Sequence, residues 1–249
     1  MIGGIIQARM GSRRFPGKVL EPIGGVPMLK YQVERVRKSR FLEKIIIATT
    51  ERDDDNAIAD FCAVERITCF RGSTNDVLRR YFDCAKSYGI DVIVRLTGDC
   101  PLSDPGIIDS VVELFGSSNV DFAANTVPVE SSAWPDGSDV EVFSFSALTK
   151  AIERVTRSDE KEHVTFHFWK NESRSLYSSV QLGNNVDWSS FRYTVDFPED
   201  LDVVRRLVKE LNKKKQFGHV GQIVRMLLAH PEISTINADH SPGDGWLQT

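Results

Sequence analysis

Near the start of the chain, Ile6-Gln7-Ala8-Arg9-Met10-Gly11-Ser12-Arg13-Arg14-Phe15-Pro16-Gly17-Lys18 passes abruptly from an apolar run into glycines and four cations. Such a composition suits the grip of a polyphosphate. Gly11 and Gly17 let backbone N–H groups turn toward an anion, while Arg9, Arg13, Arg14 and Lys18 supply charge. Arginine offers phosphate a planar fork, and lysine a point charge. The stretch is not a P-loop, because no Gly-Lys-Ser/Thr follows the required gap, and it lacks the dinucleotide pattern G-x-G-x-x-G.

Ligands of open α/β sheets bind beyond the carboxyl ends of the strands, so residues just past strand-like runs come next. Two such segments carry aspartates: Thr97-Gly98-Asp99-Cys100-Pro101-Leu102 and Tyr193-Thr194-Val195-Asp196-Phe197-Pro198-Glu199-Asp200. Taken alone, Asp99 also fits an ordinary turn and Asp196 the acidic start of a helix. A third segment, Arg71-Gly72-Ser73-Thr74-Asn75-Asp76-Val77, follows another strand; Ser73 and Thr74 suit helix capping and nucleotide contact equally.

The first loop resembles the signature of the sugar-activating nucleotidyltransferases. It is most like the cytidylyltransferases of the spore-coat polysaccharide type, and next like the 3-deoxy-manno-octulosonate and acylneuraminate cytidylyltransferases. Their A-R-x-x-S-x-R-x-P-G-K pattern is matched by Ala8, Arg9, Ser12, Arg14, Pro16, Gly17 and Lys18, with Arg13 and Phe15 where Thr and Leu are more usual. Ordered matches continue to about residue 201, through R-G-S, R-x-T-G-D-C-P, P-D-G-x-D-V-E-V-F, a stretch like S-E-R-E-H-V-T, and V-D-x-P-E-D with Phe197 replacing a usual Thr.

The resemblance implies a three-layer α/β/α, Rossmann-like nucleotidyltransferase fold of the GT-A kind, with a mixed, mainly parallel sheet. It also implies roles. Lys18, Arg9 and Arg14 would be catalytic, and Ala8, Arg9, Gly11, Ser12, Arg14, Lys18, Arg71, Ser73 and Asp76 would bind the nucleotide. Asp99 and Asp196 would hold magnesium, a hard cation for which one or two protein carboxylates plus phosphate oxygens suffice. Arg95, Asp139 and His163 would meet the acceptor, although a strand-end charge, a solvated strand and a helix face also account for them. The implied reaction transfers CMP from CTP to a sugar acid, a 2-keto-3-deoxy acid foremost, with loss of pyrophosphate. A homodimer is expected.

These segments need a scaffold, and the hydrophobic pattern supplies one. Strands over 3–8, 44–49, 66–70, 91–97 and 121–125 alternate with helices over 27–39, 53–63, 74–88 and 104–115. Alternation of this kind builds a mainly parallel sheet covered on both faces. Asp104 before Pro105 is a plausible N-cap, and Pro27 a first helical residue. Beyond Asn125 the rhythm changes: a strand over 139–143, helices over 146–156 and 159–170, strands near 176–181 and 191–195, then helices over 199–213 and 220–229. The expectation is one domain over 1–249, with a nucleotide-binding half to 125, an acceptor and dimerisation half to 238, and a tail from 239 lying loosely on the surface.

Whole-chain totals narrow the options. With 249 residues, 41% hydrophobic and 27% charged, the chain can bury a real core, and its net charge of -4 argues against general binding to nucleic acid or anionic membrane. Cys62, Cys69, Cys84 and Cys100 form no C-x-x-C pair, so buried free thiols are expected rather than a disulfide framework or zinc site. The first strand begins at once and no apolar run reaches membrane length, which points to the cytoplasm. Three other readings stand beside the first: a nucleotidyltransferase with another base or a phosphorylated acceptor, a glycosyltransferase using the D-x-D spacing of Asp53-Asp54-Asp55, and a silent nucleotide-binding scaffold.

Overall fold

A computed structural model describes residues 1–170 and 172–241. Its centre is a seven-stranded sheet in the order β5-β4-β1-β6-β8-β7-β9. The strands are β1 (Ile2–Gln7), β4 (Lys44–Thr50), β5 (Thr68–Gly72), β6 (Val92–Thr97), β7 (Phe122–Ala124), β8 (Glu141–Ser144) and β9 (Ser179–Gln181). All neighbours run parallel except at β8, which lies antiparallel to both β6 and β7. The sheet is therefore mixed and mainly parallel, as expected.

Side-chain alternation along the strands divides the core. Ile6, Val94 and Leu96 join one apolar cluster with α1 (Met28–Val36), α2 (Asn56–Glu65), α4 (Pro105–Ser118), α8 (Pro198–Lys213) and α9 (Val220–Ala229). Ile5 and Ile93 face the opposite cluster, with α3 (Val77–Tyr88), α5 (Phe145–Arg154) and α7 (Phe166–Trp169). Successive residues of a strand point to opposite faces, so both faces must be covered by helices, and three layers result. Because β1, β4, β5 and β6 run the same way, their carboxyl ends open on one edge of the sheet.

Asp104 caps α4 as expected, accepting from the Gly106 N–H at 2.8 Å. Other boundaries move for identifiable reasons. Helix α3 begins at Val77 rather than Thr74, because the Asp76 carboxylate accepts from the Arg79 N–H at 2.7 Å and so sets the cap. The expected helix over 159–170 is two pieces, α6 (Ser158–His163) and α7, separated by Val164 at φ 48°. Pro27 precedes α1 as its N-cap instead of opening it, closing a small hairpin of β2 (Pro22–Ile23) and β3 (Val26–Pro27) that the sequence reading did not anticipate.

The expected strand over 191–195 is a correction. Only Arg192 makes a bridge, to Asp136, and no continuous ladder forms. The reason lies in its N–H groups, which are spent on two separate loops: Tyr193 donates to the Asp136 carbonyl at 2.9 Å and Val195 to the Asp99 carbonyl at 2.8 Å. The segment thus ties the Asp99 turn to the Asp136 turn. Of the tail expected from 239 to lie loosely, residues 242–249 fall outside the described residues, while His240 is stacked on Phe197 with ring centroids 3.8 Å apart. All four cysteines are free.

Gly137 sits where the two loops meet. Its φ is 108°, and a Cβ there would stand 2.6 Å from the Thr194 backbone nitrogen. Gly137→Ala should therefore destabilise the protein by about 1–3 kcal/mol or more, since both the conformation and the space exclude a side chain. Urea unfolding measures this; a change below about 0.5 kcal/mol would show that the loops give way freely.

Candidate active site

At the open edge of the sheet lies a cleft of about 330 Å³. Its wall includes Ala8, Arg9, Ser12, Arg14, Lys18, Arg95, Asp99, Asp139, His163 and Asp196, drawn from both halves of the chain. Four other residues implicated from sequence stand outside that wall. Gly11 is open to solvent; Ser73 accepts from the Asp76 N–H at 3.1 Å and Asp76 caps α3. Arg71 is turned to the β4–α2 junction, donating to the carbonyls of Thr50 and Arg52 and to Asn56 Oδ1. The Asp53-Asp54-Asp55 triplet also lies away from the cleft wall: Asp55 accepts from the Met10 N–H at 2.7 Å, and Asp54 pairs with Arg52.

The cationic loop after β1 is built by short backbone bonds. Ser12 and Gly17 both donate to the Met10 carbonyl, at 3.0 and 2.9 Å, and Gly17 adopts φ 76° immediately before Lys18. That reversal turns Lys18 inward until only 7% of it is exposed. Its Nζ donates to the Val195 carbonyl at 2.6 Å and to Asp196 Oδ1 at 3.0 Å, and reaches Asp99 Oδ2 at 3.4 Å. Arg14 approaches the same Asp196 Oδ1 at 2.9 Å. Two carboxylates separated by almost a hundred residues thus converge on one ammonium.

Electrostatics keeps this group ionised. Burial works against the charge on Lys18, but Asp99 and Asp196 more than offset it and raise its pKa above the ordinary lysine value. Burial likewise works against the Asp196 carboxylate; the charges of Lys18 and Arg14, the Lys18 hydrogen bond and Arg192 hold it below the usual range. The two shifts agree in sense, as an ion pair requires. A point ringed by carboxylate oxygens and stabilising a cation is chemically suited to a hard divalent ion, which competes for the same oxygens and takes its remaining ligands from water and phosphate. Among the described residues no cluster of three or more His, Cys, Asp or Glu could hold a metal by itself.

Behind Asp196 stands a support that sequence reasoning missed. Asp200 is fully buried and accepts from the N–H groups of Asp196 at 2.8 Å and Phe197 at 2.9 Å, while Arg192 donates to it at 3.0 Å and Asn237 at 2.7 Å. Arg192 also contacts Asp136 at 2.6 Å and Asp196 at 3.3 Å. The signal was present in the acidic first turn of α8, but helix-dipole complementarity explains it equally well without a partner. Phe197 holds Arg14 from another side, with the guanidinium 5.0 Å from its ring centroid.

The far wall of the cleft is hung on β6 and β8. Arg95 and Glu141 face each other in register and form a buried ion pair; Thr165 donates to the other Glu141 oxygen at 2.8 Å. That bond anchors the break between α6 and α7. His163, at the end of α6, lines the cleft, and Glu162 beside it meets Arg9 of the first loop at 3.7 Å. Asp139 accepts from Thr126 Oγ1 and the Gly137 N–H, both at 2.8 Å, and burial raises its pKa. Arg80, on α3, was not singled out from sequence and also lines the cleft.

A glycine-bearing cationic loop, a carboxylate couple on one ammonium and a mixed α/β sheet suit a nucleotidyltransferase. The cytidylyltransferase family model matches residues 4–221, and the chain belongs to that family. Relatives cover nearly the whole chain. The spore coat polysaccharide biosynthesis protein SpsF of Bacillus subtilis is 29% identical over 237 residues, covering 93% of this chain and 95% of its own. The 8-amino-3,8-dideoxy-manno-octulosonate cytidylyltransferase of Shewanella woodyi is 36% identical over 246 residues, covering 93% and 92%. A solved cytidylyltransferase from Leptospira borgpetersenii superposes with a TM-score of 0.85 at 33% identity, over 94% of this chain and 96% of its own. Membership makes the chain an enzyme class rather than a scaffold and places the D-x-D glycosyltransferase reading aside.

Burial, together with the nearby Arg95 charge, presses the His163 pKa from an ordinary 6.5 to about 4. The imidazole is then neutral at pH 7 and offers one donor and one acceptor. Because the unfolded chain binds this proton nearer 6.5, His163 lowers stability progressively as pH falls from that value through 4. An NMR titration of the His163 ring should give a midpoint near 4. A midpoint above about 6 would mean that the ring is solvated and outside the cleft.

Proposed function

We propose that the chain transfers CMP from CTP to a sugar acid, releasing pyrophosphate, in a magnesium-dependent reaction that serves surface polysaccharide or glycan assembly. What carries this reading is the Lys18 ammonium held between Asp99 and Asp196 at the floor of a cleft whose other wall comes from the second half of the chain. The activities named for the relatives supply the base and the acceptor class: a 2-keto-3-deoxy sugar acid of the manno-octulosonate kind. A cytoplasmic homodimer is part of the same proposal; no helix among the described residues is long and apolar enough to cross a membrane.

In this reaction the acceptor hydroxyl oxygen forms a bond to the α-phosphorus, the bond from that phosphorus to the bridging oxygen breaks, pyrophosphate leaves with the electron pair, and the hydroxyl proton is released. Lys18 and Arg14 supply fixed positive charge where negative charge builds on the phosphoryl and leaving oxygens. The Ser12 and Gly17 turns hold the loop so that nucleotide and acceptor meet in line, which removes much of the entropic cost of a bimolecular step. Asp99 and Asp196 would hold the magnesium, which when bound polarises phosphate oxygens and neutralises their charge. Asp200 and Arg192 keep Asp196 oriented toward the cleft through its own N–H and carboxylate.

The test is pyrophosphate release with the four nucleoside triphosphates crossed against a panel of sugar acids and phosphorylated sugars, the acids to include 3-deoxy-manno-octulosonate and its 8-amino relative. Turnover is expected with CTP and an acid. Exclusive use of another base, or of a phosphorylated acceptor, would contradict the proposal. Asp99→Asn and Asp196→Asn should each lower turnover at least about 100-fold with circular dichroism unchanged, because each replaces a hard anionic ligand by a neutral one of the same volume. Near-normal rates in both would remove the metal assignment.

A further inference from the structure

Four of the cleft cations have an anionic partner in the protein. Arg9 meets Glu162, Arg14 meets Asp196, Lys18 meets Asp99 and Asp196, and Arg95 meets Glu141. Arg13 is exposed to solvent. Arg80 differs from all of these. It is only 2% exposed, lines the cleft, and pairs with no carboxylate among the described residues. Its guanidinium donates from Nη1 to the Ser73 carbonyl at 3.0 Å, and its Nε is buried without a partner.

A brace for the Ser73 turn does not require a charge in this position. A neutral donor makes the same carbonyl bond, whereas a guanidinium cannot shed its proton and is costly to bury uncompensated. Burial acts most strongly against the Arg80 charge and Arg9 adds to it, while Tyr81, Asp55 and Asp76, none of them paired with the guanidinium, only partly offset them. A buried, permanent cation at a cleft wall is accounted for when the missing anion is the ligand. Lys18 and Arg14 already serve the end of the cleft where the triphosphate is read, beside Asp99 and Asp196. Arg80 lies on α3, which packs against α6, the helix that brings Glu162 and His163 to the same cleft.

We propose that Arg80 binds the carboxylate of the acceptor and is the residue by which the enzyme selects a sugar acid over a neutral sugar. This rests on the sugar-acid reading above. The guanidinium fork matches a planar carboxylate bidentately, and the pairing supplies the counter-charge that the unliganded protein lacks at this point. The anion is a carboxylate or a phosphate by chemistry alone; the two sources separate in the test, because one belongs to the acceptor and the other to CTP.

The experiment compares the wild type with Arg80→Gln and Arg80→Lys, using the fastest sugar acid of the panel and its C1 carboxamide as acceptors, and calorimetric CTP titration in parallel. Wild type should prefer the acid over the carboxamide by roughly 10- to 100-fold in kcat/KM, the range that one charged hydrogen-bonded pair supplies. In Arg80→Gln that preference should fall to about one, through the acceptor KM, with CTP affinity within about twofold of wild type. Arg80→Lys keeps the charge without the fork and should retain part of the preference, which guards against a Gln variant that fails to fold. Full preference retained in either folded variant, or an effect confined to CTP affinity, would overturn the assignment to the acceptor. Absence of any preference in wild type would overturn the sugar-acid reading together with this one.

Discussion

Everything at the mouth of this sheet depends on one buried ion cluster, the Lys18 ammonium against Asp99 and Asp196. Charges removed from water are costly, and their mutual attraction offsets that cost only when geometry is good and remaining lone pairs are satisfied. The structure meets that condition by spending three separate parts of the chain on it. The first loop delivers Lys18 through the Gly17 reversal, the end of β6 delivers Asp99, and the segment before α8 delivers Asp196 and the Val195 carbonyl. The same cluster is also a poised site: its cations face a cleft, and a polyanion arriving with a divalent ion can exchange partners with both.

Asp196 in turn is held by a second buried cluster. Asp200 receives hydrogen bonds from the N–H groups of Asp196 and Phe197, from Arg192 and from Asn237 near the end of the described residues. Phe197 lies between two interactions, the Arg14 guanidinium and the stacked ring of His240. Its aromatic ring thus has a local reason, since it gives Arg14 a face to rest on and His240 a ring to stack against. Asn237 and His240 thereby brace the floor of the cleft.

Legibility from sequence followed the range of the interactions. The alternating strands and helices of the first half were readable because burial on both faces of a parallel sheet writes continuous apolar runs, as in Ile45-Ile46-Ile47 and Val92-Ile93-Val94. Lys18, Arg14, Asp99 and Asp196, which the fold brings together, stood out because they lie in loops just past strands and match the motifs of the family resembled. The segment over 191–195 misled because its apolar alternation is real, with Tyr193 and Val195 buried, yet its hydrogen bonds go to turns. Arg71 stood out in its motif but is consumed by the β4–α2 junction, whereas Arg80, an unremarked helical residue in the sequence, faces the cleft. Periodicity tells that Arg80 is inward; only the fold tells what it lacks.

A structure of the protein with magnesium and a non-hydrolysable CTP analogue tests the central claim most directly. The account predicts one ion coordinated by both Asp99 and Asp196, with the Lys18 and Arg14 side chains on the triphosphate. A triphosphate bound elsewhere, with Lys18 still paired to the two carboxylates, would contradict it.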